Sequence, residues 1–131
     1  MPTRGHAEDA GLDLYPMAGE TPYLPAGAIK VFPTGVRVAI PPGFVGRIEG
    51  RSGMASRGVV PLGGLIDSGF TGPISIILAN LSMTRWAAEP GTPIGQLVIF
   101  PILLPSGLDL RDSLDATERG EGGFGHTDLR S

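Results

Sequence analysis

Apolar residues along this chain gather in short runs rather than on a helical face. No stretch keeps an apolar repeat of about 3.6 residues over three turns. Instead, β-branched and aromatic residues sit between Gly and Pro punctuation. Ile29 to Phe32 and Val36 to Ile40 flank Pro33-Thr34-Gly35. From Gly43 to Glu49, the positions Phe44, Gly46 and Ile48 alternate with Val45, Arg47 and Glu49, the two-residue period of a half-buried strand. Gly58 to Leu62 reads as a further brief strand. Ile74 to Leu81 and Ile94 to Leu104 are the most apolar runs and are the expected core strands. Prolines spread from Pro2 to Pro105 leave little room for helices, and a single helical turn is expected at Thr84 to Ala88. Strands at this spacing predict an all-β sandwich, jelly roll or small barrel.

Composition sharpens that picture. At 131 residues the chain is the size of one domain. Its 21 Gly and 13 Pro lean towards low complexity, but Leu, Ile, Val and Phe make up 36 residues, more than a disordered chain carries. Many turns around a modest core satisfy both counts. The formal net charge is −3 with no block of one sign, which argues against general attraction to nucleic acid. An anionic ligand must therefore be met locally, by a few Arg, backbone N–H groups or a metal ion. Cysteine is absent, so disulfides, thiolate zinc sites and a Cys nucleophile are excluded. Apolar runs broken by Pro or Gly are too short to span a bilayer, and the first residues lack a signal peptide's apolar stretch, so a cytoplasmic protein without membrane attachment is expected.

Several segments carry candidate chemistry. Gly50-Arg51-Ser52-Gly53-Met54-Ala55 offers a forked cation, a hydroxyl and glycines whose N–H groups an anion can approach. A turn of ordinary composition accounts for it equally well. In Gly63-Gly64-Leu65-Ile66-Asp67-Ser68-Gly69-Phe70-Thr71-Gly72, a glycine-rich hairpin, Asp67 follows apolar and Gly positions. Its carboxylate is expected near an apolar wall, as a general base for water or as a turn cap. Asp13 lies between two leucines, the usual place for a solvent-facing strand residue. Gln96 interrupts a core run, so it needs hydrogen-bond partners or a cleft. His6, Glu8 and Asp9 form either a metal trio or a solvated arm, and the arm is the simpler reading. From Pro105 the chain turns polar and ends in Arg119-Gly120-Glu121-Gly122-Gly123-Phe124-Gly125-His126. Such a segment is a frayed tail or a lid that orders over a ligand.

Taken in order, five of these segments resemble the motifs of the trimeric dUTPases. They are Ala10-Gly11-Leu12-Asp13-Leu14, Arg51-Ser52-Gly53-Met54-Ala55, the hairpin from Gly64 to Gly72, Gly91-Thr92-Pro93-Ile94-Gly95-Gln96-Leu97, and Arg119 to Gly125. The resemblance implies a jelly-roll-like, distorted β-barrel subunit over residues 1–108, with a C-terminal arm and nucleotide-covering tail over 109–131. It implies a homotrimer whose active sites are shared between chains. The implied reaction is dUTP plus water giving dUMP and pyrophosphate, with Mg2+ on the triphosphate. Asp67 would activate the water that attacks the α-phosphorus. Gly64, Leu65 and Ile66 would read uracil through backbone groups. Arg51, Ser52, Gly53 and Gln96 would contact phosphates, and Asp13 would act on the metal through its water shell. Phe124 would stack on uracil, Arg119 would reach the γ-phosphate, and Gly125 and His126 would close over the nucleotide.

The chain departs from that pattern at four places. Phe70 stands where the family has Tyr beneath the deoxyribose; the ring is kept, so steric rejection of a 2′-hydroxyl is expected to survive. Thr92-Pro93 replaces an Asp-Arg pair, and His126 replaces Ser. The leading strand before the first motif is short or missing. A dCTP deaminase is the nearest alternative, but those enzymes place a catalytic glutamate in the strand after the hairpin, and Ile74-Ser75-Ile76-Ile77-Leu78-Ala79 has no acid. The other alternative is a non-catalytic nucleotide-sensing module of the same fold.

Overall fold

A computed structural model describes residues 1–104 and 110–117. Nine short strands and one helical turn follow one another among the described residues: β1 (Leu12–Leu14), β2 (Tyr23–Leu24), β3 (Ile29–Pro33), β4 (Phe44–Glu49), α1 (Ser52–Ala55), β5 (Val59–Leu62), β6 (Leu65–Ile66), β7 (Ser75–Asn80), β8 (Trp86–Ala87) and β9 (Gly95–Pro101). They form a four-stranded sheet in the order β1-β9-β4-β6, a three-stranded sheet β3-β7-β5 and a two-stranded pair β2-β8. Every ladder is antiparallel. The all-β class read from the turn spacing is the class observed.

The core lies between these sheets. Gly46 and Ile48 of β4, Ile76 and Leu78 of β7, and Gly95 and Leu97 of β9 point inward, as a two-residue period requires. Leu14, Leu24, Phe32, Ile74 and Ile94 complete the packing.

Three expectations from the sequence are corrected. The run Val36 to Ile40 forms no strand. Gly35 turns the chain at φ 71° just before it, and Pro41-Pro42 just after it lack N–H donors for a ladder. Only the Ile74 N–H reaches the Val36 carbonyl, at 2.8 Å. No helical turn forms at Thr84 to Ala88; α1 lies at Ser52–Ala55 instead. The reason is Asn80, which is fully buried. Its Nδ2 donates to the carbonyls of Leu24 (3.1 Å), Pro25 (3.1 Å) and Thr84 (2.8 Å). Its Oδ1 accepts from the Ser82 N–H (3.0 Å) and hydroxyl (2.7 Å). The 81–85 loop is thereby hooked to the end of β7, and Trp86 emerges in register with Leu24. Finally, the run Ile94 to Leu104 is core only in its first half. Ile99, Phe100 and Ile102 are partly exposed and Leu103 and Leu104 are open.

Candidate active site

Strand register brings the first group of candidate residues together. Asp13 on β1 stands opposite Gln96 on β9, and Gln96 stands opposite Glu49 at the end of β4. The chain leaves β4 directly into Gly50-Arg51 and then α1. Since Gly95 and Leu97 face the core, Gln96 and Val98 face away from it, into a cleft of about 700 Å³. Asp13, Arg51, Ser52, Gly53 and Gln96 all line it.

Polar contacts fix the cleft floor. Gln96 Nε2 donates to the Gly50 carbonyl at 2.9 Å, which answers the demand of a Gln inside a core run. Arg51 Nη1 donates to Asp13 Oδ1, so the guanidinium lies against β1. Gly11 lies close against Gln96: a Cβ there would run into the Gln96 amide oxygen and stand 3.2 Å from Gln96 Cβ.

The N-terminal arm also reaches this cleft. Thr3 exchanges backbone hydrogen bonds with Asp13, at 3.2 and 2.7 Å, so a vestige of a leading strand is present. His6 and Asp9 then line the cleft mouth, tied by a bond from the His6 N–H to Asp9 Oδ2 at 2.7 Å. They are exposed, as an arm should be, and no group of three His, Cys, Asp or Glu able to hold a metal occurs among the described residues. Thr92, a member of the fourth motif given no role of its own, lines the cleft as well, and so does Arg57, which no motif contains. Arg57 falls between the second motif and the Gly58 to Leu62 strand, belonging to neither pattern, and so carried no signal of its own.

The hairpin residues lie apart from this cleft. Gly63 and Gly64 adopt φ 65° and 110° between β5 and β6. The Gly64 carbonyl accepts the Ile48 N–H at 2.9 Å, which docks the hairpin on β4. Gly64, Leu65, Ile66 and Phe70 line an apolar hollow of about 300 Å³ over Ile48 and Ile74. Asp67 is exposed and lines neither cavity; its carbonyl accepts the Phe70 N–H at 3.0 Å in a turn. The apolar wall expected beside Asp67 is therefore not present within one chain, because the side chain projects from the turn that follows β6. Arg119, Phe124, Gly125 and His126 lie outside the described residues.

A family model for dUTPase matches residues 1–128. The chain belongs to the dUTPase family. It is 42% identical over 128 residues to the deoxyuridine 5'-triphosphate nucleotidohydrolase of Oryza sativa subsp. japonica, covering 97% of this chain and 73% of that one. The enzyme of the same name from Chlamydia trachomatis is 37% identical over 130 residues, covering 97% of this chain and 90% of the relative. Among solved structures, a Staphylococcus bacteriophage 80alpha dUTPase variant with dUpNHpp superposes with a TM-score of 0.84 at 31% identity, covering 97% of this chain and 90% of that one. The jelly-roll-like class inferred from the dUTPase motifs is thus the fold of this chain. No helix among the described residues is long and apolar enough to cross a membrane.

Proposed function

We propose that this dUTPase-family chain hydrolyses dUTP to dUMP and pyrophosphate in the cytoplasm, at sites that separate copies of the chain build together in a homotrimer. The observation that carries this reading is the division of the motifs. The phosphate-type residues Asp13, Arg51, Ser52, Gly53 and Gln96 share one cleft, while Gly64, Leu65, Ile66 and Phe70 line a different hollow. A nucleotide needs both at once, so a second copy must bring its hairpin to the first copy's cleft. Apolar surface supports such association: Val31 (61% exposed) and Leu65 (69%) stand open, as does the outer end of β9.

In that arrangement the backbone of Gly64, Leu65 and Ile66 reads uracil, and a wrong base leaves a buried donor or acceptor unpaired. Phe70 packs under the deoxyribose. Arg51 gives forked donors to the phosphates, with Ser52, Gly53 and Gln96 completing their contacts. Asp67 takes the proton of a water that attacks the α-phosphorus, and pyrophosphate leaves. Mg2+, met at Asp13 through its water shell, would supply charge neutralisation to the pyrophosphate leaving group. The residues present fit that ion: the two carboxylates at the cleft, Asp13 on β1 and Asp9 at its mouth, suit a hydrated cation carried by substrate phosphates rather than an all-protein cage. In the full chain, 1–108 is the barrel and 109–131 the covering arm. There Phe124 stacks on the base, Arg119 meets the γ-phosphate, and Gly125 and His126 close over the phosphates.

The test is pyrophosphate release with Mg2+ over dUTP, UTP, dCTP and dTTP. Release from dUTP is expected to dominate. Comparable turnover of UTP would remove the role given to Phe70, and ammonia from dCTP would favour the deaminase alternative. Asp67→Asn should abolish release while leaving dUpNHpp binding intact; a variant that still turns over would refute the assignment of the base.

A further inference from the structure

We propose that Arg57 is a positioning residue for the Arg51–Gly53 turn and the second cation of the triphosphate cleft. The proposal rests on the reading of that cleft as the phosphate site.

The argument starts from the shortness of α1. Four residues make one turn, too few to hold themselves in shape. The carbonyls at the end of such a turn need outside donors. The Arg57 N–H closes on the Met54 carbonyl at 3.0 Å, and the Gly58 N–H on Ala55 at 2.9 Å. That tightened closure leaves the Gly53 carbonyl without the backbone donor a continuing helix would give it. The Arg57 side chain supplies one instead: its Nε–H donates to the Gly53 carbonyl at 2.9 Å, with a longer bond from the Ser56 hydroxyl at 3.3 Å. On its Cβ side Gly53 is open, since a Cβ placed there would meet nothing within 4 Å. The Gly53–Met54 peptide, adjoining the Gly53 N–H expected to face a phosphate, is thus held from behind by one guanidinium.

The same side chain lines the cleft. The Arg51 charge is already taken up by Asp13. Arg57 is in neither of the ion pairs near it in the chain, Arg51–Asp13 and Arg47–Glu49. Arg57 is therefore the less compensated cation that an incoming triphosphate meets. Asp9 and Asp13 are the acids on the same walls.

Three variants separate orientation from charge. The amide nitrogen of Gln stands as many bonds from the backbone as Arg Nε, so Arg57→Gln keeps a donor for Gly53 and deletes the charge. Arg57→Met deletes both. Arg57→Gln is expected to raise KM for dUTP about tenfold, the loss of one charged contact, while kcat stays within about threefold of wild type. Arg57→Met is expected to raise KM as much and also lower kcat about tenfold or more, because the turn is no longer held. Arg57→Lys should retain KM better than either. The KM of wild type should rise with ionic strength more steeply than that of Arg57→Gln. An active wild type with Arg57→Met unchanged in both constants overturns the proposal alone. Equal loss of kcat in the Gln and Met variants also overturns it, since the retained donor would then have no effect. Absence of pyrophosphate release by wild type overturns the reading of the cleft and this proposal with it.

Discussion

Asn80 is the most consequential polar residue outside the active-site residues, and its replacement has a calculable cost. Its side chain is fully buried and makes five hydrogen-bond contacts: its two amide hydrogens are shared among three carbonyls, and its oxygen accepts from two donors. Asn80→Ala removes all five. The bond to the Leu24 carbonyl is fully buried, and an orphaned group there costs about 1–3 kcal/mol. The other four are half-buried, so water replaces part of each, adding roughly 0.5 kcal/mol apiece. The sum is about 4 kcal/mol, or a fall in Tm on the order of 10 °C for a domain of this size. Asn80→Asp is nearly the same shape and should be worse. It keeps the acceptor for Ser82 but points a carboxylate oxygen at three carbonyl oxygens with no proton between them. Burial and those carbonyls would raise the pKa of the new carboxyl in the folded state. The folded state then binds more protons than the unfolded one, so stability falls as pH rises and recovers on acidification. Thermal unfolding by circular dichroism at neutral and mildly acidic pH measures all three proteins. The reasoning is refuted if Asn80→Asp is as stable as Asn80→Ala at neutral pH, or if Asn80→Ala lies within about 0.5 kcal/mol of wild type.

Two glycines give sharper local tests. Gly64→Ala combines φ 110° with a Cβ only 2.8 Å from Ile48 Cβ, an atom fixed to the β4 backbone that cannot swing aside. A loss of about 2–4 kcal/mol is expected, together with weakened dUTP turnover as the hairpin shifts; an unchanged Tm would contradict the packing described. Gly11→Ala instead meets the movable end of Gln96 and should break its bond to Gly50. Its kcat/KM for dUTP should fall about tenfold with little change in Tm, and unaltered kinetics would show that the Gln96 position is not critical.

Much of the fold was legible in local pattern. The alternation from Gly43 to Glu49 became β4, and Ile74 to Leu81 became β7, because one face of each had to be buried. The misplaced helical turn had a different origin. Nothing between Thr84 and Ala88 announces that Asn80, four residues earlier, holds the Thr84 carbonyl. The loss of the Val36 to Ile40 strand was written in Gly35 and Pro41-Pro42, whose punctuation outweighed β-branched propensity. At the site, Asp13, Arg51, Ser52, Gly53 and Gln96 were singled out by residue type and motif, and they share the cleft. Arg57, His6, Asp9 and Thr92 were not assigned to it, since their place depends on how the arm and the helical turn close around its walls.

The amino-acid sequence alone determined the all-β class, the positions of most strands and the family, because strand period and motif order are local properties of the chain. The three-dimensional arrangement decided which candidates meet. Antiparallel register set Asp13 against Gln96 and bound Arg51 to Asp13, while the hairpin docked on β4 with Asp67 turned outward. Residues far apart in the chain become neighbours only through sheet pairing, and pairing is a free-energy balance over the whole core that no single segment records.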